Sequence, residues 1–247
     1  MPYMTFPQLK YSAMARIKPV MRTLTGAAAA FFGLSLMAGQ LSSVPGFFTD
    51  LFLLQVVLRS LLTLLASTFS RILYIGFCCL MLKLYCGRPI AVSDLFYAFT
   101  VQAKTAIRLS LIMAVFNIVP LIPFTAFSMK YTGSLDNMDL TIALFCYTPA
   151  LVLKTILNLI YSQAVYLMLD FPACSVKQLL RDSRLLMDGH KGRLFYIQVC
   201  MLPFILFIGV CTCGIGMLWI TPFIYAVQTE FYLDLVTKRK HFIQKEN

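Results

Sequence analysis

Three ionisable residues stand inside long apolar stretches: Arg71, Lys154 and Glu230. At the centre of a membrane helix each such charge costs about 2.5–3.5 kcal/mol, so it must face a partner or water. Their stretches all run in the same direction through the bilayer if the chain crosses six times, and they fall at similar depth. The expectation is that they meet in the interior, with Asn117, Asn158, Gln163 and Gln228 as uncharged neighbours. Two cations against one carboxylate favour an anion or a lipid head group. The competing reading is a structural ion pair, or long side chains snorkelling to the interface.

Other chemistry has little support. Neither H-E-x-x-H nor G-x-S-x-G occurs. The segment Asp188-Gly189-His190-Lys191-Gly192-Arg193 is close to the D-G-x-x-A-R opening of CDP-alcohol phosphotransferases. Those enzymes need further aspartates downstream, and none lies between Arg193 and Asp234. This segment is read instead as a charged corner at the membrane surface, with His190 exposed. The chain has 8 cysteines and 2 histidines but no C-x-x-C pair, so no metal site is expected, and no cofactor. No catalytic set is assigned, and the reading leans away from an enzyme. Pro120 and Pro123 lie close together at membrane depth and are candidates for a hinge.

These residues need a scaffold, and the composition fixes its class. The 247 residues are 60% hydrophobic and 13% charged, against about 45–50% and 25% in soluble domains. A soluble globular domain is thereby excluded. The expected fold is all-α: a polytopic helical bundle of six spans over residues 20–44, 60–82, 107–129, 140–169, 194–211 and 217–236, forming a single transmembrane domain over 1–247. The stretch from Leu51 to Leu82 exceeds one upright crossing, so its first part is expected in the interface. Gly26, Ala27 to Ala30 and Gly33 give the first span a small-residue face for close packing. Ser42 to Gly46 and Tyr131 to Asn137 read as polar turns. Thr212-Cys213-Gly214-Ile215-Gly216 reads as a tight turn between the last two spans.

Between spans four and five lies an amphipathic helix. Ser175 caps it, Lys177, Arg181, Arg184 and Asp188 form a polar stripe, and Val176, Leu179, Leu180, Leu186 and Met187 face elsewhere. Gly189 is placed to end it. Two or three such helices are expected along the inner leaflet.

Charge sets the orientation. The formal net charge is +11. With the N-terminus inside, every Lys and Arg except Arg59, Arg71, Lys130 and Lys154 falls in an inner segment, as the positive-inside rule requires. Both termini are therefore expected in the cytoplasm. Lys177, Arg181, Arg184, Lys191 and Arg193 are expected to contact anionic lipid head groups there. Membrane lipids are the expected partner and nucleic acid is not. Protein partners and oligomeric state stay open. Pro7, Pro89 and Pro172 recur at nearly equal intervals, each followed by a basic segment and two spans. That spacing fits three copies of one unit starting near 7, 89 and 172. It also fits an ordinary six-span chain with long inner loops.

The last third carries a longer pattern. It reads Ser183 to Phe195 (S-R-L-L-M-D-G-H-K-G-R-L-F), then Cys213 to Phe223 (C-G-I-G-M-L-W-I-T-P-F), then Phe231 to Leu235 (F-Y-L-D-L). Together with Gly87-Arg88-Pro89 and Ser93-Asp94-Leu95-Phe96, this resembles the bacterial domain-of-unknown-function 975 family, polytopic membrane proteins mostly of Gram-positive bacteria. The resemblance covers about Leu82 to the C-terminus. Leu233 stands where members often carry an acidic residue, and Glu230 where they usually carry an apolar one. The resemblance implies a multi-pass protein of the bacterial cytoplasmic membrane and supplies no mechanism. The functional expectation is a transporter or lipid-handling protein with a charged intramembrane site, which requires a cavity reaching Arg71 and Lys154. The alternative is a non-catalytic scaffold or regulator that recruits a partner through its basic helices, which requires a tightly packed bundle.

Overall fold

The computed structural model describes residues 3–40, 52–123 and 137–246, and no strand occurs among them. The turn expected at Ser42 to Gly46, most of the loop after Tyr131 and the end of the third expected span (124–129) lie outside the described residues.

The chain enters as α1 (Phe6–Ile17), passes a 3-10 turn (Lys18–Val20) and continues as α2 (Met21–Gln40). Pro19 explains the turn, since it cannot donate to the helix ladder. Then comes α3 (Phe52–Tyr85), a single helix of 34 residues. The interfacial first part expected from its length is therefore continuous with the rest. A connector folds as a 3-10 turn (Val92–Phe96) and the short α4 (Tyr97–Thr100). After it, α5 (Ala103–Ile118) tightens into a 3-10 turn at Val119–Leu121. The expected fourth span is two helices, α6 (Asn137–Tyr161) and α7 (Ala164–Asp170), broken at Ser162 and Gln163. The surface helix α8 (Val176–Leu186) precedes α9 (Lys191–Cys211) and α10 (Met217–Glu246).

Five helical stretches among the described residues are long and apolar enough to cross a membrane: Phe6–Gln40, Val57–Tyr85, Ala103–Leu121, Tyr147–Asp170 and Lys191–Cys211. The last helix is not one of them. Gln228, Glu230 and Asp234 lower its apolar character, and it tolerates them because it is an inner helix, packed on α1, α2, α3 and α9. In contrast, α9 turns Leu202, Phe204, Leu206, Phe207 and Val210 outward, each more than half exposed. A face of that kind suits acyl chains, which impose no cost on apolar side chains.

The central helix is α3. Leu73, Ile75, Phe77, Cys78, Leu80 and Met81 are all essentially buried, and α2, α5, α7 and α10 pack around them. Gly76 lets the connector come in close: a Cβ there would stand 1.8 Å from the Leu95 carbonyl oxygen. Leu95 itself is fully buried. On α2, Ala27 and Ala28 are buried as the small-residue face requires. The tight turn after α9 forms as expected, with the Gly214 N–H donating to Gly209 O at 2.8 Å and Gly214 at φ +87°.

The connector is fastened by Asp94. Its carboxylate takes the Lys83 ammonium at 2.7 Å and the Ala91 N–H at 3.0 Å. Burial pushes the Asp94 carboxyl up, but Lys83 and the Ala91 N–H outweigh it and hold it below the usual carboxylate range.

Two outcomes follow from this packing. Gly76→Ala is expected to destabilise the fold by about 3 kcal/mol, the upper end of overpacking costs, since the new methyl meets backbone and not a flexible side chain. Its melting temperature in detergent should fall sharply, and an unchanged value would contradict the close approach. Because the Asp94 carboxyl is depressed in the fold, its contribution is present above the unfolded carboxylate pKa near 4 and fades as pH falls through the lower folded value. Asp94→Asn should therefore lose about 1 kcal/mol at pH 7 and little at acid pH, measured by thermal unfolding.

Candidate functional site

Each helix around the interior turns residues three or four positions apart, most of them polar, onto one face. On α3 these are Thr63, Ser67, Ser70, Arg71 and Tyr74. On α6 they are Lys154, Asn158 and Tyr161. Met113 and Asn117 come from α5, Leu194 and Gln198 from α9, and Tyr225 and Gln228 from α10. All of them line one cavity of about 610 Å³. That volume lies within the range of about 300–1,000 Å³ typical of small-molecule sites.

The polar wall is organised by Asn158. Its Oδ1 accepts from Arg71 Nη2 at 3.3 Å, and its Nδ2 donates to Asn117 Oδ1 at 3.0 Å. Asn117 in turn donates to the Met113 carbonyl at 2.7 Å. The guanidinium of Arg71 is thus held by neutral amides. Among the described residues Lys154 has no hydrogen-bond or ion-pair partner and no carboxylate lines the cavity. The site carries two cations that no carboxylate of the described lining offsets.

The floor is the break between α6 and α7. Ser162 Oγ donates to Leu159 O at 3.0 Å, and Ser183 Oγ on α8 donates to Ile160 O at 3.0 Å. These two hydroxyls satisfy carbonyls at the broken end of α6, as a buried terminus demands. Gln163 is 2% exposed; its Nε2 donates to Ser162 Oγ at 3.0 Å, and its Oε1 has no partner.

Of the expected interior residues, Arg71, Lys154, Asn117, Asn158, Gln163 and Gln228 come together here. Glu230 does not. Its carboxylate accepts from Ser12 Oγ and from Arg16 Nε at 3.3 Å, both on α1. The physical reason is the helical register of α10: Tyr225 and Gln228 face the cavity, and Glu230, two residues beyond Gln228, falls on the α1 side. One turn on, Asp234 takes Arg193 Nη2 at 2.6 Å, Lys238 Nζ at 3.1 Å and the Met4 N–H at 3.2 Å.

That second cluster corrects the charged corner. Arg193, expected at lipid head groups, is instead committed to Asp234 and covered by the rings of Tyr3 and Phe231. His190, expected to be exposed, is half-buried with its ring 4.6 Å from that of Tyr3. Burial and the Arg193 charge hold its imidazole below the usual histidine range. Lys191 reaches Asp188 at 3.7 Å on the surface. Lys177, Arg181 and Arg184 are exposed on α8, while Leu179, Ser183 and Leu186 are buried beneath them. Pro120 sits in the 3-10 turn after α5 and Pro123 just beyond it, and neither lines the cavity.

The tyrosines of the wall, Gln198 and the break at Ser162 carry no charge, so no burial cost marks them in the sequence. The 63–67–70–74 and 154–158–161 spacings were the available signal. Among the described residues no group of three His, Cys, Asp or Glu is close enough to hold a metal ion.

A family model described as "Protein of unknown function (DUF975)" matches residues 20–240. No curated protein and no solved structure matches the chain.

Asn158→Leu removes the group that joins α3 and α6 and leaves the Arg71 guanidinium and the Asn117 side-chain oxygen without their partner, while Asn117 keeps its bond to the Met113 carbonyl. The expected loss is about 1–2 kcal/mol, since both groups are only half-buried. Thermal unfolding in detergent checks it, and a neutral result would contradict the bridging role.

Proposed function

The chain belongs to the family described as protein of unknown function DUF975, and from that premise we propose that it binds an anionic, phosphate-type group in its interior cavity, as a transporter or lipid-handling protein. The observation that carries this reading is the pairing of Arg71 and Lys154 in one polar cavity that no carboxylate among the described residues lines. Bundles that carry charge only for structure balance it internally, because an uncompensated charge in an apolar medium is costly. Here the compensation is left to a ligand. A scaffold reading calls for a filled interior, and the cavity favours the ligand reading over it.

The same proposal includes a topology. The chain crosses the bacterial cytoplasmic membrane six times, with α10 as the sixth crossing and both termini in the cytoplasm. The distribution of Lys and Arg supports that orientation. The contacts of Met4 with Asp234 and Arg193 support placing both termini on one side, since they bring the N-terminal segment to the start of α9 and the later part of α10. On this orientation α8 lies along the inner leaflet, with Lys177, Arg181 and Arg184 toward anionic lipid. The three-unit reading is supported by element order: a short helix begins at or soon after Pro7, Pro89 and Pro172, and long helices come after each.

The test is anion binding by the purified protein in nanodiscs. An anionic phospholipid is expected to be retained by wild type in native mass spectrometry. Lys154→Met and Arg71→Met should each lose at least about tenfold in binding, the worth of one charge-assisted hydrogen bond. Lys154→Met should melt near the wild-type temperature, because Lys154 makes no contact that folding depends on. Equal binding by wild type and both variants would overturn the proposal.

A further inference from the structure

A second opening lies on the surface of the bundle, between α5 and α8. It is a groove of about 400 Å³, lined by Thr105, Arg108, Leu111 and Ile112 from α5 and by Ser175, Val176 and Lys177 at the start of α8. Each side supplies one cation, one hydroxyl and apolar carbon. Arg108 and Lys177 are both exposed. Neither makes an ion pair among the described residues, and no carboxylate among those residues lines the groove. Asp182, the acid of α8, is five residues from Lys177 and so about 140° around the helix.

The cations and the apolar lining lie at different depths. Leu111 and Ile112 stand about one turn beyond Arg108 on α5. From Leu111 an exposed apolar row continues through Val115 to Val119. That row runs about 12 Å, most of the roughly 15 Å that one leaflet contributes to the hydrocarbon core. Positive charge at the surface, with an apolar track leading away from it, matches the outline of a phospholipid. A soluble phosphate or an acidic peptide would use the two cations and leave the row uncovered. A choline head group would bring its own cation beside Arg108 and Lys177, where like charges repel.

We propose that this groove seats one anionic phospholipid of the inner leaflet, its phosphate between the Arg108 guanidinium and the Lys177 ammonium and an acyl chain along Leu111, Val115 and Val119. A guanidinium grips phosphate through two parallel N–H donors, and the ammonium adds a point charge from the other helix. The leaflet rests on the topology proposed above. The seat itself is separate from the interior cavity and shares no lining residue with it. It differs from the general attraction of basic residues for an anionic surface, because it singles out two cations from among several.

The experiment titrates phosphatidylglycerol into the full-length Lys154→Met variant in phosphatidylcholine nanodiscs at 0.15 M salt, read by native mass spectrometry. The interior anion site is disabled in that background, so a lipid still bound there is the groove lipid. Arg108→Gln and Lys177→Gln, added singly, are each expected to lose about tenfold in affinity, the worth of one charge-assisted hydrogen bond. Arg184→Gln is the control. Arg184 is exposed on the same helix, seven residues and about 10 Å from Lys177, beyond the Debye length of about 8 Å. It should stay within about twofold of the background. Chain-free glycerophosphoglycerol should not displace the lipid, because it has nothing to lay along the row. Behaviour of Arg108→Gln or Lys177→Gln like that of Arg184→Gln would overturn the seat, and displacement by the chain-free head group would overturn the lipid as its occupant. Nanodiscs carry lipid on both faces, so neither failure depends on the topology, and neither bears on the interior cavity.

Discussion

Charge is expensive away from water, and the placement of a few charged residues organises this molecule. Arg71 and Lys154 sit on different helices, α3 and α6, and open onto the same space. The cost of Arg71 is moderated by a neutral amide: Asn158 takes the guanidinium and is itself held by Asn117. Amides solvate a cation without cancelling it. The cavity therefore keeps a net positive charge, whereas a carboxylate in the place of Asn158 would have closed it into a structural ion pair.

The carboxylates of α10 are used elsewhere. Glu230 and Asp234 are one helical turn apart and both nearly buried. The first binds α1 through Ser12 and Arg16; the second binds Arg193, Lys238 and the backbone of Met4. The two carboxylates are buried while their cations reach toward solvent, so each pair is partly screened, but together they fix the N-terminal helix against α9 and α10. The division of labour is physical. Compensated charge fastens the end of the bundle where the N-terminal segment, α9 and α10 meet, and uncompensated charge is kept for the cavity. Between them, Ser183 ties the basic surface helix α8 to the broken end of α6, so the cavity floor and the charged surface share one hydrogen bond.

Much of this was legible in the residues. The spacing of Lys177, Arg181 and Arg184 marks the exposed face of α8, and Ser175 marks its capped start. Thr212 to Gly216 gave the last turn. The gathering of Arg71, Lys154 and their amide neighbours followed from depth alone. What was not legible depends on distant partners. Ser162-Gln163 contains neither Gly nor Pro, and the helix breaks there with the help of Ser183, more than a turn's reach away in sequence. Gly76 reads as one more small residue until Leu95 is brought against it. Glu230 shares its depth with Arg71 and Lys154, but its face is set by the register of α10, which depth does not reveal.

The central claim is that the positive charge of Arg71 and Lys154 is answered by a bound anion and by no part of the protein. The most direct measurement is a high-resolution cryo-electron microscopy map of the protein extracted with its native lipids. The account predicts tetrahedral density in the cavity within hydrogen-bonding distance of both the Arg71 guanidinium and the Lys154 ammonium. A cavity filled by an acyl chain or by a carboxylate of the chain itself, with the two cations turned away from it, would contradict the account.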